Sequence, residues 1–167
     1  MISHDCLLWK INSLNGCINP PMANDNLVVV SYLPLSHVAA QETEIVPMFT
    51  QKALIAFAPK DAIQGSLFRT LRQIRPTYFF AVPRVWEKIE TRLRNMEAQQ
   101  SFFTKKLWDW AKGIGRKSTK NFMTGRPPPY FESLARLLVF KRVRTTLGLD
   151  RSMACYFGAA PIKKATL

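Results

Sequence analysis

Four short apolar runs set the frame for this chain. Leu27-Val-Val-Val-Ser-Tyr-Leu-Pro-Leu35, Ala53-Leu-Ile-Ala-Phe-Ala58, Thr77-Tyr-Phe-Phe-Ala-Val82 and Ser152-Met-Ala-Cys-Tyr-Phe157 are each short, apolar and rich in strand-forming side chains. The first is nearly unbroken rather than alternating, the pattern of a strand covered on both faces, as in a parallel sheet. Helically spaced segments lie between the runs. This order predicts an α/β fold: a partial parallel sheet of about four strands joined by crossover helices, with a long basic helical insertion before the last strand.

The helices can be read with their ends. Ser3 is placed to cap a short amphipathic helix through Leu7, Leu8, Ile11 and Leu14, ended by Gly16. After His37 a helix is expected to about Gln51, bent at Pro47. Asp61, with Gln64 three residues on, predicts a capped helix along Ile63, Leu67, Leu71 and Ile74, stopped by Arg75-Pro76. From Pro83 a long helix is expected to reach about Gly113, its apolar stripe interrupted by the polar turn around Gln100. A stiff Arg126-Pro-Pro-Pro129 connection leads to a second basic helix, Phe131 to Leu147, ended by Gly148.

Composition excludes several classes. With 47% apolar and 11% aromatic residues in 167, the chain is no disordered basic tail and should build a core. No apolar run approaches the roughly 18 residues of a spanning helix, and the first 30 residues lack signal-peptide order. Cys6, Cys17 and Cys155 have no C-x-x-C spacing, and no N-x-S/T acceptor occurs. Both features suit a reducing, cytoplasmic setting. His4 and His37 have no partner at ligand spacing, so no metal site is expected from these side chains. Ser3, His4, Asp5 and Cys6 share one helical turn and cannot face one another as a triad. No catalytic residue is assigned.

The net charge is +13, and its distribution says more than its size. Residues 1–83 carry 6 basic and 5 acidic groups, 84–144 carry 15 and 5, and 145–167 carry 3 and 1. A nucleic-acid surface would need such charge, but no zinc finger, RNP-type aromatic pattern or basic heptad accompanies it. A solvated helix face is the commoner cause, so no nucleic-acid partner is expected. An amphipathic helix with Trp and Phe on one side and Lys on the other also suits a membrane surface, and peripheral association, at the endoplasmic reticulum for instance, is a further expectation.

Taken alone, Gly158-Ala-Ala-Pro161 after a strand is a tight turn of small residues. Small side chains beyond a strand's carboxyl end also let a flat ring lie on the backbone. Four segments together are more specific: Ser3-His4 opening a helix, Ser31-Tyr-Leu-Pro-Leu-Ser-His37, Val82-Pro-Arg-Val-Trp-Glu-Lys-Ile89 and Gly158-Ala-Ala-Pro-Ile162. Their order and spacing resemble long-chain fatty-acid CoA ligases of the adenylate-forming superfamily, and Leu35-Ser-His-Val-Ala-Ala-Gln41 resembles the bubblegum branch.

That resemblance spans essentially the whole chain, 1–167, as part of one AMP-binding (adenylation) domain containing the basic helical insertion 84–147. It implies a two-step reaction with a long-chain fatty acid, ATP and CoA as partners and Mg2+ as an accessory ion. The carboxylate attacks the α-phosphate of ATP, releasing pyrophosphate, and the CoA thiolate then displaces AMP. The resemblance also implies that Gly158, Ala159, Ala160 and Pro161 line the adenine and acyl pocket and that His37 lies near the acyl site. Gln41 matches a position where some relatives carry an aromatic gate. For His37 the residues alone favour a core or capping histidine. Arg84 and Trp86 read as structural.

The family's Ser/Thr/Gly-rich phosphate loop, its later Tyr-Gly-x-Thr/Ser-Glu-type segment, its ribose-binding Asp and its C-terminal domain with a catalytic Lys are not among these residues. The chain therefore reads as an internal fragment, expected to be inactive alone because nothing in it would stabilise the leaving pyrophosphate. The alternative is a non-catalytic basic module for an anionic membrane or acidic protein.

Overall fold

The computed structural model describes residues 3–17, 27–45, 48, 52–158, 160 and 161. Two compact units emerge, one built from Met1–Val85 with Leu147–Leu167 and the other from Trp86–Thr146.

In the first unit all four apolar runs form strands: β1 (Val28–Ser31), β2 (Leu54–Phe57), β3 (Tyr78–Ala81) and β4 (Ala154–Phe157). They make one all-parallel sheet in the order β2-β1-β3-β4. β1 is central, and Val29, Val30 and Ser31 are buried, as the unbroken apolar run requires. It pairs with β2 along four positions, Val28 with Leu54 through Ser31 with Phe57. With β3 it shares the position Val29 with Tyr78. The two strands therefore meet at one end and part toward their carboxyl ends.

Thr77 ties the amino edge together. Its N–H donates to the Val28 carbonyl at 2.9 Å, its Oγ1 accepts the Val28 N–H at 2.9 Å, and its carbonyl accepts the Met153 N–H at 2.7 Å. One residue thus satisfies backbone groups on two neighbouring strand segments that would be costly to bury unpaired. On one face Leu27, Val29, Ala53 and Tyr78 cluster with Ala154 and Tyr156, and the Tyr78 and Tyr156 rings stack at 6.2 Å.

The crossovers are shorter and more broken than their sequence suggests. α1 (His4–Cys17) begins with Ser3 Oγ accepting the Cys6 N–H at 3.2 Å, the expected cap, and runs through Gly16. After His37 comes a single turn, α2 (Val38–Ala40), continued by a π-helical turn, Gln41–Ile45; Pro47 and Gln51 lie outside the described residues. The Asp61 cap does not form. Its backbone carbonyl accepts the Gln64 and Gly65 N–H groups at 2.9 and 3.0 Å in a 3-10 turn, Ala62–Gln64, and α3 starts only at Leu67. Gly65 and Ser66 break the helix that the apolar spacing alone would have joined. α3 (Leu67–Ile74) ends at Arg75, which turns left-handed (φ 53°) before Pro76, since proline disfavours the right-handed helix in the residue preceding it. The Arg75 guanidinium then pairs with the Asp150 carboxylate.

The expected long helix is two. α4 (Pro83–Ala98) starts on a proline, whose missing N–H is harmless at that position. The chain opens at Gln100, whose side-chain amide donates to the Met96 carbonyl at 3.2 Å and so satisfies a helix-end acceptor. Ser101 is extended, and α5 (Phe102–Met123) runs well past Gly113. α6 (Glu132–Ala135), a π turn (Arg136–Phe140) and α7 (Lys141–Leu147) form the second basic helix. Within the second unit Ala111, Ala135 and Val139 make a small core with Trp108, Trp110 and Phe140 around it. Four of its five acidic groups pair locally: Glu90 with Arg94, Glu97 and Asp109 with Lys112, and Glu132 with Arg136.

Gly148, just after α7, returns the chain to the sheet with φ 78°, and a Cβ there would lie 2.4 Å from the Leu71 carbonyl and the Arg72 nitrogen. Both the conformation and the space demand glycine. Gly148→Ala is expected to cost about 3 kcal/mol or more in urea unfolding; a loss below about 1 kcal/mol would show that α3 and this turn give way freely.

Candidate functional site

The strand order reverses between β1 and β3, because the chain passes from β1 out to β2 and then back across the sheet. In open parallel sheets that reversal leaves a crevice at the carboxyl ends, the usual place for a ligand. Every strand here is followed by a proline within four residues: Pro34, Pro59, Pro83 and Pro161. Each lacks an N–H and so cannot extend the ladder. The carboxyl edge is thereby kept free of further pairing.

Along that edge β3 lies between β1 and β4, so the segments after β1 and β4 are separated by about two strand spacings, roughly 10 Å. Phe80 on β3 links them. Its carbonyl accepts the Tyr32 phenol at 3.2 Å, across the place where β1 and β3 part. Its ring lies under Gly158, where a Cβ would come within 3.0 Å of it. Tyr32 is buried, and burial pushes its phenol well above its ordinary range, so it remains a neutral donor.

His37 caps α2. Its backbone is extended (φ −84°, ψ 128°) and its Nδ1 accepts the Ala39 N–H at 3.1 Å. In the neutral ring this bond assigns the proton to Nε2. His37 is exposed, so the Nε2–H is left as a donor on the surface of the edge. Gln41 is half-buried and donates from Nε2 to the Leu35 carbonyl at 3.1 Å, closing the loop that carries His37. The polar side chain thus staples the loop. Gly158 is half-buried, Ala160 and Pro161 are exposed, and Ala159 lies outside the described residues.

One residue at this edge was not singled out by the sequence. Glu44, in the π turn, is 2% exposed, with Ser31 hydrogen-bonded to its carboxyl, Tyr32 as a charged-state neighbour, and Oε2 without a hydrogen-bond partner. Burial pushes its pKa up to about 7. Its one signal in the sequence is its place four residues after buried Ala40, and the switch from α to π winding blurs that spacing.

The edge therefore offers a backbone platform at Gly158 with an aromatic ring beneath, an exposed imidazole donor, and an acid close to neutrality. Such a platform fits a flat base or an acyl chain. Among the described residues no three His, Cys, Asp or Glu side chains form a metal-holding group.

The switch point of a parallel sheet is where open α/β proteins commonly bind their ligands, nucleotides among them. The chain matches the AMP-binding enzyme family over residues 1–167 and belongs to it. It is 44% identical over 169 residues to the long-chain-fatty-acid–CoA ligase ACSBG2 of Xenopus laevis, covering 100% of this chain and 23% of that protein. Against the human protein of the same name it is 37% identical over 167 residues, covering 99% and 25%. Against the long-chain-fatty-acid–CoA ligase ACSBG1 of Rattus norvegicus it is 38% identical over 168 residues, covering 99% and 23%. The chain spans about a quarter of the length of the curated relatives it matches. No solved structure matches it.

Glu44 gives the site a pH signature. The folded pKa, about 7, exceeds the ordinary 4.5, so the folded state keeps a proton that the unfolded state releases between those values. The resulting stabilisation is whole below pH 4.5 and is lost as pH rises through 7. Glu44→Gln, the neutral isostere, should melt above the parent at pH 8, by at most on the order of 3 kcal/mol, and match it near pH 4.5. A parent that is the more stable at pH 8 would place a satisfied carboxylate there instead.

Proposed function

We propose that this chain is the part of a long-chain fatty acid:CoA ligase that holds the adenine and the carboxyl end of the acyl chain. The observation that carries the reading is the placement, along one sheet edge on either side of β3, of two segments with the family resemblance: His37 after β1, and Gly158, Ala160 and Pro161 after β4. The relatives' names supply the substrate class, and the membership of the AMP-binding family supplies the nucleotide.

In that reaction a carboxylate, which has no leaving group, becomes an acyl-adenylate at the expense of ATP and is then transferred to CoA. The residues of this chain bind and orient. Gly158 lets a planar base approach the backbone, and any larger side chain there would press on Phe80. Ala160 and Pro161 keep the wall small. His37 presents Nε2–H to an acyl carbonyl or phosphate oxygen while its Nδ1 is fixed by the cap. Gln41 keeps the loop closed through Leu35, so acyl access is set by loop position and not by an aromatic gate. Phosphate and metal chemistry is assigned to residues outside this chain. The setting we propose is the reducing cytoplasm, consistent with Cys6 and Cys155 as free thiols, and no nucleic-acid partner is required.

The test uses a stable acyl-adenylate mimic, a long-chain acyl sulfamoyl adenosine, titrated into 15N-labelled chain. Saturable shifts at Gly158, Ala160 and His37 are expected, with affinity at least about 10-fold weaker in Gly158→Val. Shifts confined to other residues, or a Gly158→Val chain that binds as the parent does, would contradict the assignment.

A further inference from the structure

The second unit carries a surface that the nucleotide reading does not use. α5 buries one side, through Ala111, in the small core with Ala135 and Val139. Its opposite side repeats at helical spacing: Phe102, Lys105, Lys106, Asp109, Gly113, Arg116, Lys117, Lys120 and Met123, all exposed. Five of these are cations and one is an acid, and that acid, Asp109, lies 3.7 Å from Lys112 in an ion pair. The face is therefore a nearly uninterrupted positive strip about 30 Å long.

Its ends are apolar and uncovered. Phe102 and Phe103 are 65% and 83% exposed at one end, and Met123 is 79% exposed at the other. Lys106 folds its ammonium over the Phe102 ring at 4.6 Å, so charge and apolar surface are presented together. No helix among the described residues is long and apolar enough to cross a membrane, and α5 itself is far too charged.

We infer that this face of α5 lies flat on an anionic lipid leaflet, with the cations at the phosphate level and Phe102 with its neighbour Phe103 at one end, and Met123 at the other, entering the acyl boundary. Charge complementarity selects an anionic partner, and the apolar ends select among anionic partners. A nucleic-acid backbone offers phosphates but nothing apolar for exposed large side chains at both ends of a strip about 30 Å long, whereas a lipid boundary offers both along its whole plane. This inference stands independently of the role assigned to Gly158 and His37, since every residue in it belongs to the other unit.

Co-sedimentation of the purified chain tests it, with vesicles of phosphatidylcholine alone and of phosphatidylcholine with about 30% phosphatidylserine, at roughly 0.1 M salt. Retention on the anionic vesicles, at least about 10-fold above the neutral ones and falling with salt, is expected. Lys117→Glu with Lys120→Glu should cut it more than about 20-fold, at roughly fivefold or more for each charge. Phe102→Ser with Phe103→Ser should weaken it while leaving the salt dependence unchanged, and circular dichroism of both variants should match the parent because all four positions are exposed. Equal retention on both vesicles, no retention, or tight salt-dependent binding to duplex DNA without vesicle retention would overturn the inference.

Discussion

The Tyr32 phenol on the Phe80 carbonyl is the bond on which the site depends. β1 and β3 pair at Val29 and Tyr78 and then part. A side chain from just beyond β1 reaches back to β3 across that gap. Its donor can serve only while neutral, and burial keeps it so. The same Phe80 places its ring beneath Gly158. Spacing between the two loop segments at the edge, after β1 and after β4, thus passes through a single residue of β3.

This arrangement divides the labour of the chain. The first unit supplies a rigid parallel sheet whose amino edge is locked by Thr77 and whose carboxyl edge is left open by prolines. The second unit pairs four of its five acids locally and leaves a row of exposed cations along α5. The chain belongs to the AMP-binding family, and the turn after β4 is the place on the edge where a Cβ is excluded by a ring beneath it.

Much of this was legible in the residues. The unbroken Val28-Val-Val30 run announced a parallel strand, and Gly148 announced a helix end, because both follow from local sterics. Ser3 capped as its type suggests. Asp61 did not, because Gly65 and Ser66 let a 3-10 turn take up the backbone donors first. The break at Gln100 was visible as a lapse in the apolar stripe, yet the continuation to Met123 was not, since Gly113 looked like an end. Gly115 is accommodated there because its missing Cβ makes room for the Phe140 ring at 3.1 Å. Strand order and the burial of Glu44 were beyond reach. Both arise from contacts between segments distant in sequence, and the π turn that buries Glu44 has no composition of its own.

The central claim is that the carboxyl edge of β1, β3 and β4 is where adenosine sits. Photolabelling with an azido-adenosine nucleotide, followed by peptide mapping, tests this most directly. The account predicts label on the peptides carrying Tyr156 to Pro161 and Ser31 to Gln41, lost when unmodified AMP competes. Label concentrated on the basic helices between Phe102 and Leu147, and competed by AMP, would contradict it.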